Sequence, residues 1–213
     1  MKIGTISLDK KSIKGMMRDR QTIDPSIMDE SQQNDHIIET ITNDLYKLLS
    51  IYEIGDELEI RFGYYVGEYF RSCLTSTVFN KILKSFLNNE QYTPSYIFNT
   101  ISMYSNGIRQ IHGNKTTTNI KKIKKTHIDN RNLEIRIALS HEKKLDSSPK
   151  GKCLNKSRIR YTFFHMSENH KIDLTIDTLP KSKQYQCEVE FTNKPDVKDI
   201  IKLINTIKYI INS

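Results

Sequence analysis

The chain is short of several residue types that would indicate a familiar kind of site. Its 213 residues include no tryptophan, one alanine (Ala138) and three cysteines, Cys73, Cys153 and Cys187. The cysteines are odd in number and lack the spacing of metal ligands, so they predict neither a disulfide framework nor a zinc site. A reduced, intracellular compartment is therefore expected.

Membrane and common catalytic signatures are absent as well. No apolar run approaches the roughly 20 residues that a transmembrane helix requires, and residues 1–7 lack the apolar core of a signal peptide, so no membrane partner is expected. The six histidines form no His-x-x-x-His pair on a convincing helix. The glycines form no phosphate-binding loop, and no cysteine phosphatase signature is present. These absences argue against a zinc hydrolase, a P-loop enzyme and a cysteine-dependent phosphatase.

The chain carries an excess of basic residues. The formal net charge is +8 and the pI is about 9.2, which is typical of a protein that binds nucleic acid or nucleotide phosphate. A lysine-rich surface that serves solubility explains the charge about equally well. Eleven tyrosines and eight phenylalanines predict a packed interior. The scarcity of alanine among many β-branched residues favours strands.

Apolar periodicity predicts one α+β domain over residues 1–213. Residues 1–51 form a lead-in, with a short strand at Ile3–Leu8 and a helix over 29–50, and residues 196–211 form an amphipathic helix. Between them, residues 52–192 carry the strands and an inserted helix over 76–88. The predicted strands are Asp56–Tyr65, Ser95–Tyr104, Gly107–His112, Thr117–His127, Leu133–His141, Ser157–His165, Lys171–Thr178 and Gln184–Thr192. Many short strands separated by turn residues are typical of an antiparallel sheet or barrel.

Nearly every predicted strand carries one ionic face, because residues at i, i+2 and i+4 share a face. The first strand offers Glu57, Glu59 and Arg61, and the last offers Glu188 and Glu190. The strands between them offer Arg109, Lys122, Lys124, Glu134, Arg136, Lys156, Arg158, Arg160, Thr162, Asp173, Thr175 and Asp177. The opposite faces are mostly aliphatic or aromatic, and the helices are available to cover them.

If the sheet closes on itself, the ionic faces line a polar bore. Neighbouring carboxylates repel one another unless a cation neutralises them. Four carboxylates without a cysteine or histidine cluster favour Mg²⁺ or Mn²⁺ over zinc. The arginines and lysines would then face an anion with several charges, such as a triphosphate.

A plainer interpretation exists for each part of this pattern. A single Glu-x-Glu strand is usually a solvated face, and so is an alternating basic strand such as Lys121–Lys125. The combined pattern favours a functional site over a solvated surface, because two acidic strands stand at opposite ends of a β-rich region with basic strands between them. Cross-strand ion pairs explain some of this arrangement but not the adjacent like charges.

Taken in order, these segments resemble the triphosphate tunnel metalloenzymes, and more narrowly the fungal and DNA-virus RNA triphosphatases that begin mRNA capping. The resemblance rests on Glu57–Gly63 (ELEIRFG) and Cys187–Phe191 (CEVEF) as the two acidic motifs, with Lys156–Tyr161 and Ile172–Thr175 as further strands. It covers about residues 52–192. The composition, rich in isoleucine, lysine and asparagine, suggests a mimivirus-like DNA virus as the source.

This resemblance implies a fold, a reaction and a set of roles. The fold would be a closed eight-stranded antiparallel tunnel braced by helices. The reaction would be metal-dependent hydrolysis of the γ-phosphate of 5′-triphosphate RNA, with free nucleoside triphosphates as further substrates. Glu57, Glu59 and Glu190 would hold Mg²⁺ or Mn²⁺, and Glu188 would orient or deprotonate the attacking water. Arg61, Arg158 and Arg160 would act as catalytic contacts, Arg109, Lys122 or Lys124, Arg136 and Lys156 would bind phosphate, and Asp173 and Thr175 would support these bases.

One departure from the family leaves the general base open. Gln186 stands where some relatives carry a third glutamate, and an amide can accept a hydrogen bond from water but cannot deprotonate it. The same bore would also serve thiamine triphosphate, polyphosphate or nucleotides. A third alternative is a basic, non-enzymatic barrel that binds nucleic acid. As an RNA triphosphatase, the chain would have a guanylyltransferase domain in the same polypeptide as its partner and, if viral, would act in the host cytoplasm or the virion.

Overall fold

The computed structural model describes residues 30–113 and 116–213, with side chains described from residue 37 onward. The strand expected at Ile3–Leu8 therefore lies outside the described residues. The chain divides into two units, residues 1–37 and 38–213, and every strand named below belongs to the second. The prediction of a single domain over residues 1–213 stays a prediction.

The three predicted helices are present, with ends within two residues of those expected. They are α1 (Glu30–Ser50), α2 (Ser76–Leu87) and α3 (Val197–Asn212). Thr75 caps α2, because its hydroxyl oxygen accepts a hydrogen bond of 3.2 Å from the backbone N–H of Val78. In the described part of the chain, no helix combines the length and the apolar character needed to cross a membrane.

Eight strands pair in a closed ring, and each neighbouring pair is antiparallel. In chain order the strands are β1 (Asp56–Phe62), β2 (Tyr64–Val66), β3 (Tyr69–Arg71), β4 (Tyr92–Tyr104), β5 (Ile108–His112), β6 (Thr117–Asn130), β7 (Ile135–Leu145), β8 (Cys153–His165), β9 (His170–Leu179) and β10 (Ser182–Phe191). The ring runs β1, β10, β9, β8, β4, β5, β6, β7 and back to β1, while β2 and β3 form a separate hairpin. The α+β class and the antiparallel pairing are confirmed.

The hydrophobic core lies outside the ring, between the helices and one half of its wall. It joins apolar residues of the three helices with outward side chains of β1, β7, β9 and β10. On β1, Leu58 and Ile60 are fully buried in this core, whereas Glu57 and Glu59 alternate with them and point inward. The core thus fixes the register that directs the carboxylates into the ring.

The predicted strand Asp56–Tyr65 is wrong at its C-terminal end. Strand β1 stops at Phe62, and the following aromatic residues form the β2–β3 hairpin. Gly63 makes this possible, since a Cβ at that position would lie 2.0 Å from the carbonyl oxygen of Arg71. Only glycine permits so close an approach of two backbone segments.

Candidate active site

The ring encloses one main cavity of about 820 Å³, within the range of small-molecule sites. Its lining comes from all eight strands of the ring. Tyr52 and Gly55, before β1, and Lys194, after β10, line one end, because the start of β1 lies beside the end of β10. Ser72, after β3, lines the cavity towards the other end of β1.

Four glutamates of β1 and β10 lie together on one wall of this cavity. Strand register places Glu59 opposite Glu190 and Arg61 opposite Glu188. Glu57 shares the inward face of β1 with Glu59. The two acidic motifs are therefore neighbours in space although 127 residues separate Glu188 from Arg61 along the chain. We call Glu57, Glu59, Glu188 and Glu190 the acidic wall.

Glu59 is the most deeply held member of the acidic wall, with 3% of its surface exposed. Arg61 donates two hydrogen bonds to its carboxylate, at 2.9 Å and 2.7 Å, and the Lys122 ammonium donates a third at 2.8 Å. Burial alone raises the pKa of Glu59, but the charges of Arg61 and Lys122 outweigh it and lower the pKa to about 2. Glu59 is therefore ionised throughout the physiological range.

Glu188 and Glu190 behave in the opposite way. Burial, followed by the charge of Glu59, raises the pKa of Glu188 to about 7, although Arg61 lies 3.0 Å from its carboxylate. Burial also raises the pKa of Glu190 to about 7, with a contribution from Glu57 that opposes the effect of Lys171. Protonated Glu188 can donate a hydrogen bond to ionised Glu59. Burial and the neighbouring carboxylates thus oppose full ionisation of the acidic wall.

Asp177 fixes the basic residues of β8. It is fully buried, and Arg158 donates two hydrogen bonds to its carboxylate, at 2.7 Å and 2.9 Å. The Lys156 ammonium donates to the same carboxylate. Burial raises the pKa of Asp177, but its bonds with Arg158 and Lys156 outweigh that effect and lower it. The two cations are therefore held in fixed positions on the cavity wall.

Asp173 performs the same task for Arg160. An Arg160 nitrogen lies 3.1 Å from the Asp173 carboxylate, which also accepts a hydrogen bond of 2.6 Å from Thr162. Thr175 is fully buried between these positions. Its hydroxyl has no hydrogen-bond partner among the described residues, so no supporting contact to an arginine is formed there.

Two further expected phosphate contacts line the cavity on β5 and β6. The Lys122 ammonium lies 2.9 Å from Glu57 and 2.8 Å from Glu59. Arg109 pairs with Glu142 of β7. Both cations face the cavity while already bound to carboxylates, so a phosphate would have to share or replace those carboxylates.

Two residues that line the cavity, Lys171 and Glu142, were not identified from the sequence. The Lys171 ammonium lies 3.0 Å from Glu190. Strand alternation was the available signal for Lys171, because it shares the face of Asp173 and Asp177 on β9. Glu142 lies beyond the predicted end of its strand, which extends to Leu145.

Two expected phosphate contacts do not line the cavity, namely Arg136 and Lys124. Arg136 donates two hydrogen bonds to Asp129, at 2.6 Å and 2.7 Å, and its guanidinium lies over the ring of Phe70. Lys124 is exposed and stands next to a bulge in β6, where the register with β7 shifts between Lys124 and Thr126. The structure does not bring either side chain to the cavity.

The wall opposite the acidic wall carries aliphatic side chains, and β4 brings no charged side chain to the cavity, whereas β5 and β6 bring Arg109 and Lys122. Strand β4 stands four places from β1 in the ring of eight, directly across the cavity. The inward aliphatic side chains of β4, β5 and β6 are Ile97, Ile101, Met103, Ile111 and Ile120. We call these five residues the apolar wall. Both faces of β4 carry large apolar residues, so alternation gave no signal for its orientation.

The donors of the acidic wall suit a hard divalent cation, because all of them are carboxylate oxygens. Burial, with a contribution from neighbouring carboxylates, raises the pKa values of Glu188 and Glu190, and a bound cation would favour their ionised forms. Within the described ranges, no group of three or more Asp, Glu, His or Cys side chains is already arranged around an ion position. Lys122 and Lys171 instead contact the expected ligands, so a cation would compete with their ammonium groups.

Cys187 packs in the hydrophobic core. It is fully buried on the outward face of β10, next to Glu188 in sequence. Burial raises the pKa of its thiol. A thiol held in the neutral form away from the cavity is unsuited to act as a nucleophile.

Comparison with solved structures gives the fold a precedent. The Pct1 RNA triphosphatase of S. pombe matches with a TM-score of 0.63 and 18% identity, over 81% of this chain and 91% of that chain. The same enzyme in complex with the Spt5 CTD matches with a TM-score of 0.57 and 17% identity, over 82% and 89%. The RNA triphosphatase domain of a trifunctional mimivirus mRNA capping enzyme matches with a TM-score of 0.61 and 18% identity, over 82% and 99%.

No protein-family model matches the chain, and no curated protein matches its sequence. The likeness therefore lies in the three-dimensional structure, and it extends over nearly the whole length of the matched chains. An antiparallel ring, an acidic wall and inward arginines accompany it. The chain has the triphosphate tunnel fold of the RNA triphosphatases.

Proposed function

We propose that this protein hydrolyses the γ-phosphate of 5′-triphosphate RNA, the first step of mRNA capping, and that free nucleoside triphosphates are further substrates. The observation that carries this proposal is the convergence of four glutamates and several fixed cations on one cavity inside a closed ring. Likeness to RNA triphosphatases from a fungus and a virus supports it.

A divalent cation, Mg²⁺ or Mn²⁺, would be held by Glu57, Glu59 and Glu190. Such an ion supplies positive charge that stabilises the phosphate oxygens in the transition state. Glu59 is already ionised, as a ligand must be. Lys122 and Lys171 lie within 3.0 Å of these carboxylates. On binding of a cation they would be free to turn towards the phosphates.

The γ-phosphate would be held by Arg158, Arg160 and Lys156 of β8. A guanidinium group donates two parallel hydrogen bonds to phosphate oxygens. The strength of this interaction in the transition state depends on the fixed orientation of the group. Asp177 and Asp173 provide that orientation from the neighbouring strand. Because the cations are held before the substrate arrives, little reorganisation is needed during the reaction.

Glu188 is the residue that we assign to the attacking water. It belongs to the acidic wall, lies beside Arg61, and stands opposite Asp173 on β9, the strand that separates β10 from the arginines of β8. Gln186, two residues earlier on the same face, also lines the cavity and can accept a hydrogen bond from that water. Arg61 contacts both Glu59 and Glu188, and its charge offsets the repulsion between the two carboxylates.

The proposed setting is the capping of mRNA. In the mimivirus relative, the matched domain is part of a trifunctional capping enzyme, and we propose a guanylyltransferase domain in the same polypeptide as the partner here. The product, RNA with a 5′-diphosphate end, is what guanylyl transfer consumes. An intracellular site, and for a viral protein the host cytoplasm or the virion, would follow.

Release of γ-phosphate from a panel of substrates tests the reaction. The panel comprises 5′-triphosphate RNA, ATP, thiamine triphosphate and inorganic triphosphate, each with Mg²⁺, with Mn²⁺ and with EDTA. We expect metal-dependent release from RNA that leaves a 5′-diphosphate end. Faster turnover of thiamine triphosphate or inorganic triphosphate would indicate another tunnel phosphohydrolase. Tight RNA binding without release under any metal would indicate a binding barrel.

A further inference from the structure

The apolar wall presents aliphatic surface to the cavity, beside the polar side chains of Asn99, Arg109 and Lys122. Ile97 is 46% exposed and Met103 is 38% exposed, and both line the main cavity. Large apolar side chains left in contact with water inside a cavity gain free energy when a ligand covers them. A bare triphosphate has no apolar surface with which to cover them.

The strand order places the aliphatic side chains of β4 next to the cations of β8. Strands β1 and β4 face each other across the ring, and β8 and its arginines lie between them on the side of β4. Register places Ile97 beside Arg160 and Ile101 beside Lys156. A group joined to a phosphate that these cations hold would therefore lie directly against the side chains of β4.

We propose that the apolar wall binds the nucleoside of the triphosphorylated nucleotide, through contact of its sugar and base with Ile97 and Met103. The inference rests on the proposed function in one respect, that the triphosphate lies on the ionic walls. It goes further in assigning the nucleoside a place inside the ring and in making nucleotides better ligands than inorganic triphosphate. Aliphatic contacts carry no hydrogen-bond pattern, so Ile97 and Met103 do not distinguish one base from another.

Equilibrium binding tests the proposed nucleoside site without hydrolysis of the ligand. The probes are β,γ-imido-ATP and inorganic imidotriphosphate, neither of which releases its γ-phosphate, titrated calorimetrically into the protein. We expect wild-type protein to bind the nucleotide at least tenfold more tightly, which corresponds to about 1.4 kcal/mol. The variants Ile97→Asn and Met103→Gln should reduce this preference to less than threefold and leave the affinity for imidotriphosphate unchanged.

Phe98→Asn is the matched control. Phe98 lies next to Ile97 on β4, is 51% exposed, and points to the opposite face of the strand. It should keep the wild-type preference, and thermal unfolding should show that all three variants are folded. Equal affinity of wild-type protein for the two probes would overturn the inference, as would equal effects of Phe98→Asn and Ile97→Asn.

Failure of this inference can be told apart from failure of the proposed function. A preference for the nucleotide together with no release of phosphate from RNA would remove the proposed function and leave the nucleoside site. Release of phosphate from RNA with no preference for the nucleotide would remove the nucleoside site and leave the proposed function. Absence of binding of both probes would overturn both.

Discussion

At the residue scale, two arginines with the same kind of partner differ in whether they face the cavity. Arg158 and Arg136 each form a two-bond pair with an aspartate, but only Arg158 of these two lines the cavity. Phosphate contacts made in the transition state are worth about 2–4 kcal/mol each. We therefore predict that Arg158→Ala lowers kcat about 30-fold to 1,000-fold on 5′-triphosphate RNA. Arg136→Ala, the matched control, should change kcat less than threefold; equal losses would mean that the cavity does not define the site.

A second residue-scale prediction concerns stability and pH. Burial, followed by the charge of His165, lowers the pKa of His170 from 6.5 to about 4. The unfolded chain therefore binds a proton that the folded protein excludes between these values, and stability falls as pH falls from about 6.5 to about 4. From pH 7 to pH 5 the loss from this residue is about 2 kcal/mol. His170→Gln should remove most of it, as urea unfolding at the two pH values can measure. An identical pH dependence in the variant would contradict the assignment.

At the element scale, the close approach of the β2–β3 hairpin to the end of β1 depends on Gly63. An added Cβ would meet the carbonyl oxygen of Arg71 at 2.0 Å, and backbone must shift to accommodate it. We predict that Gly63→Ala lowers the free energy of unfolding by about 2 kcal/mol or more. Gly113→Ala is the control, because its Cβ would meet nothing closer than 3.5 Å. A loss below 0.5 kcal/mol, small on the usual scale of ~1 kcal/mol for a point mutation, would show that the hairpin adapts freely.

The inward faces of some strands could be predicted from the sequence, and those of others could not. Strands β1, β8, β9 and β10 alternate cleanly, so the inward positions of Glu59, Arg158 and Asp173 follow from the period of two. Strand β4 has Tyr96, Ile97 and Phe98 in a row, and no alternation marks its inner face. The bulge in β6 changes the side-chain direction after Lys124, and a bulge has no reliable sequence signal. Which strands face each other depends on the order of the ring, and this order is set by pairings distant in the chain.

At the scale of the whole molecule, the charge of +8 favours a polyanion longer than a triphosphate. Lys121 and Lys143 lie opposite each other on β6 and β7, an unfavourable pair for folding alone. Neither forms an ion pair among the described residues. We predict that changing both to glutamate raises KM for a 20-nucleotide 5′-triphosphate RNA and lowers the slope of log KM against log salt by about 1.4.

The substrate and a second surface provide the controls for this charge effect. KM for ATP should be unchanged in the Lys121→Glu, Lys143→Glu double variant, because ATP does not extend to that surface. Lys198→Glu on the exposed side of α3 should leave KM for RNA within twofold of wild type. An equal rise in KM for ATP would place the two lysines at the cavity itself.

The central claim is that the acidic wall makes the cavity an RNA triphosphatase site. The most direct measurement is the rate of γ-phosphate release from 5′-triphosphate RNA with Mn²⁺ or Mg²⁺, for wild-type protein, Glu59→Gln and Glu190→Gln. Glu68→Gln, an exposed glutamate on the β2–β3 turn that pairs with Arg131, is the control. We predict release by wild-type and Glu68→Gln protein and loss of at least 100-fold, about 2.7 kcal/mol, in the other two while they remain folded. Near-wild-type release by either Glu59→Gln or Glu190→Gln would contradict the account.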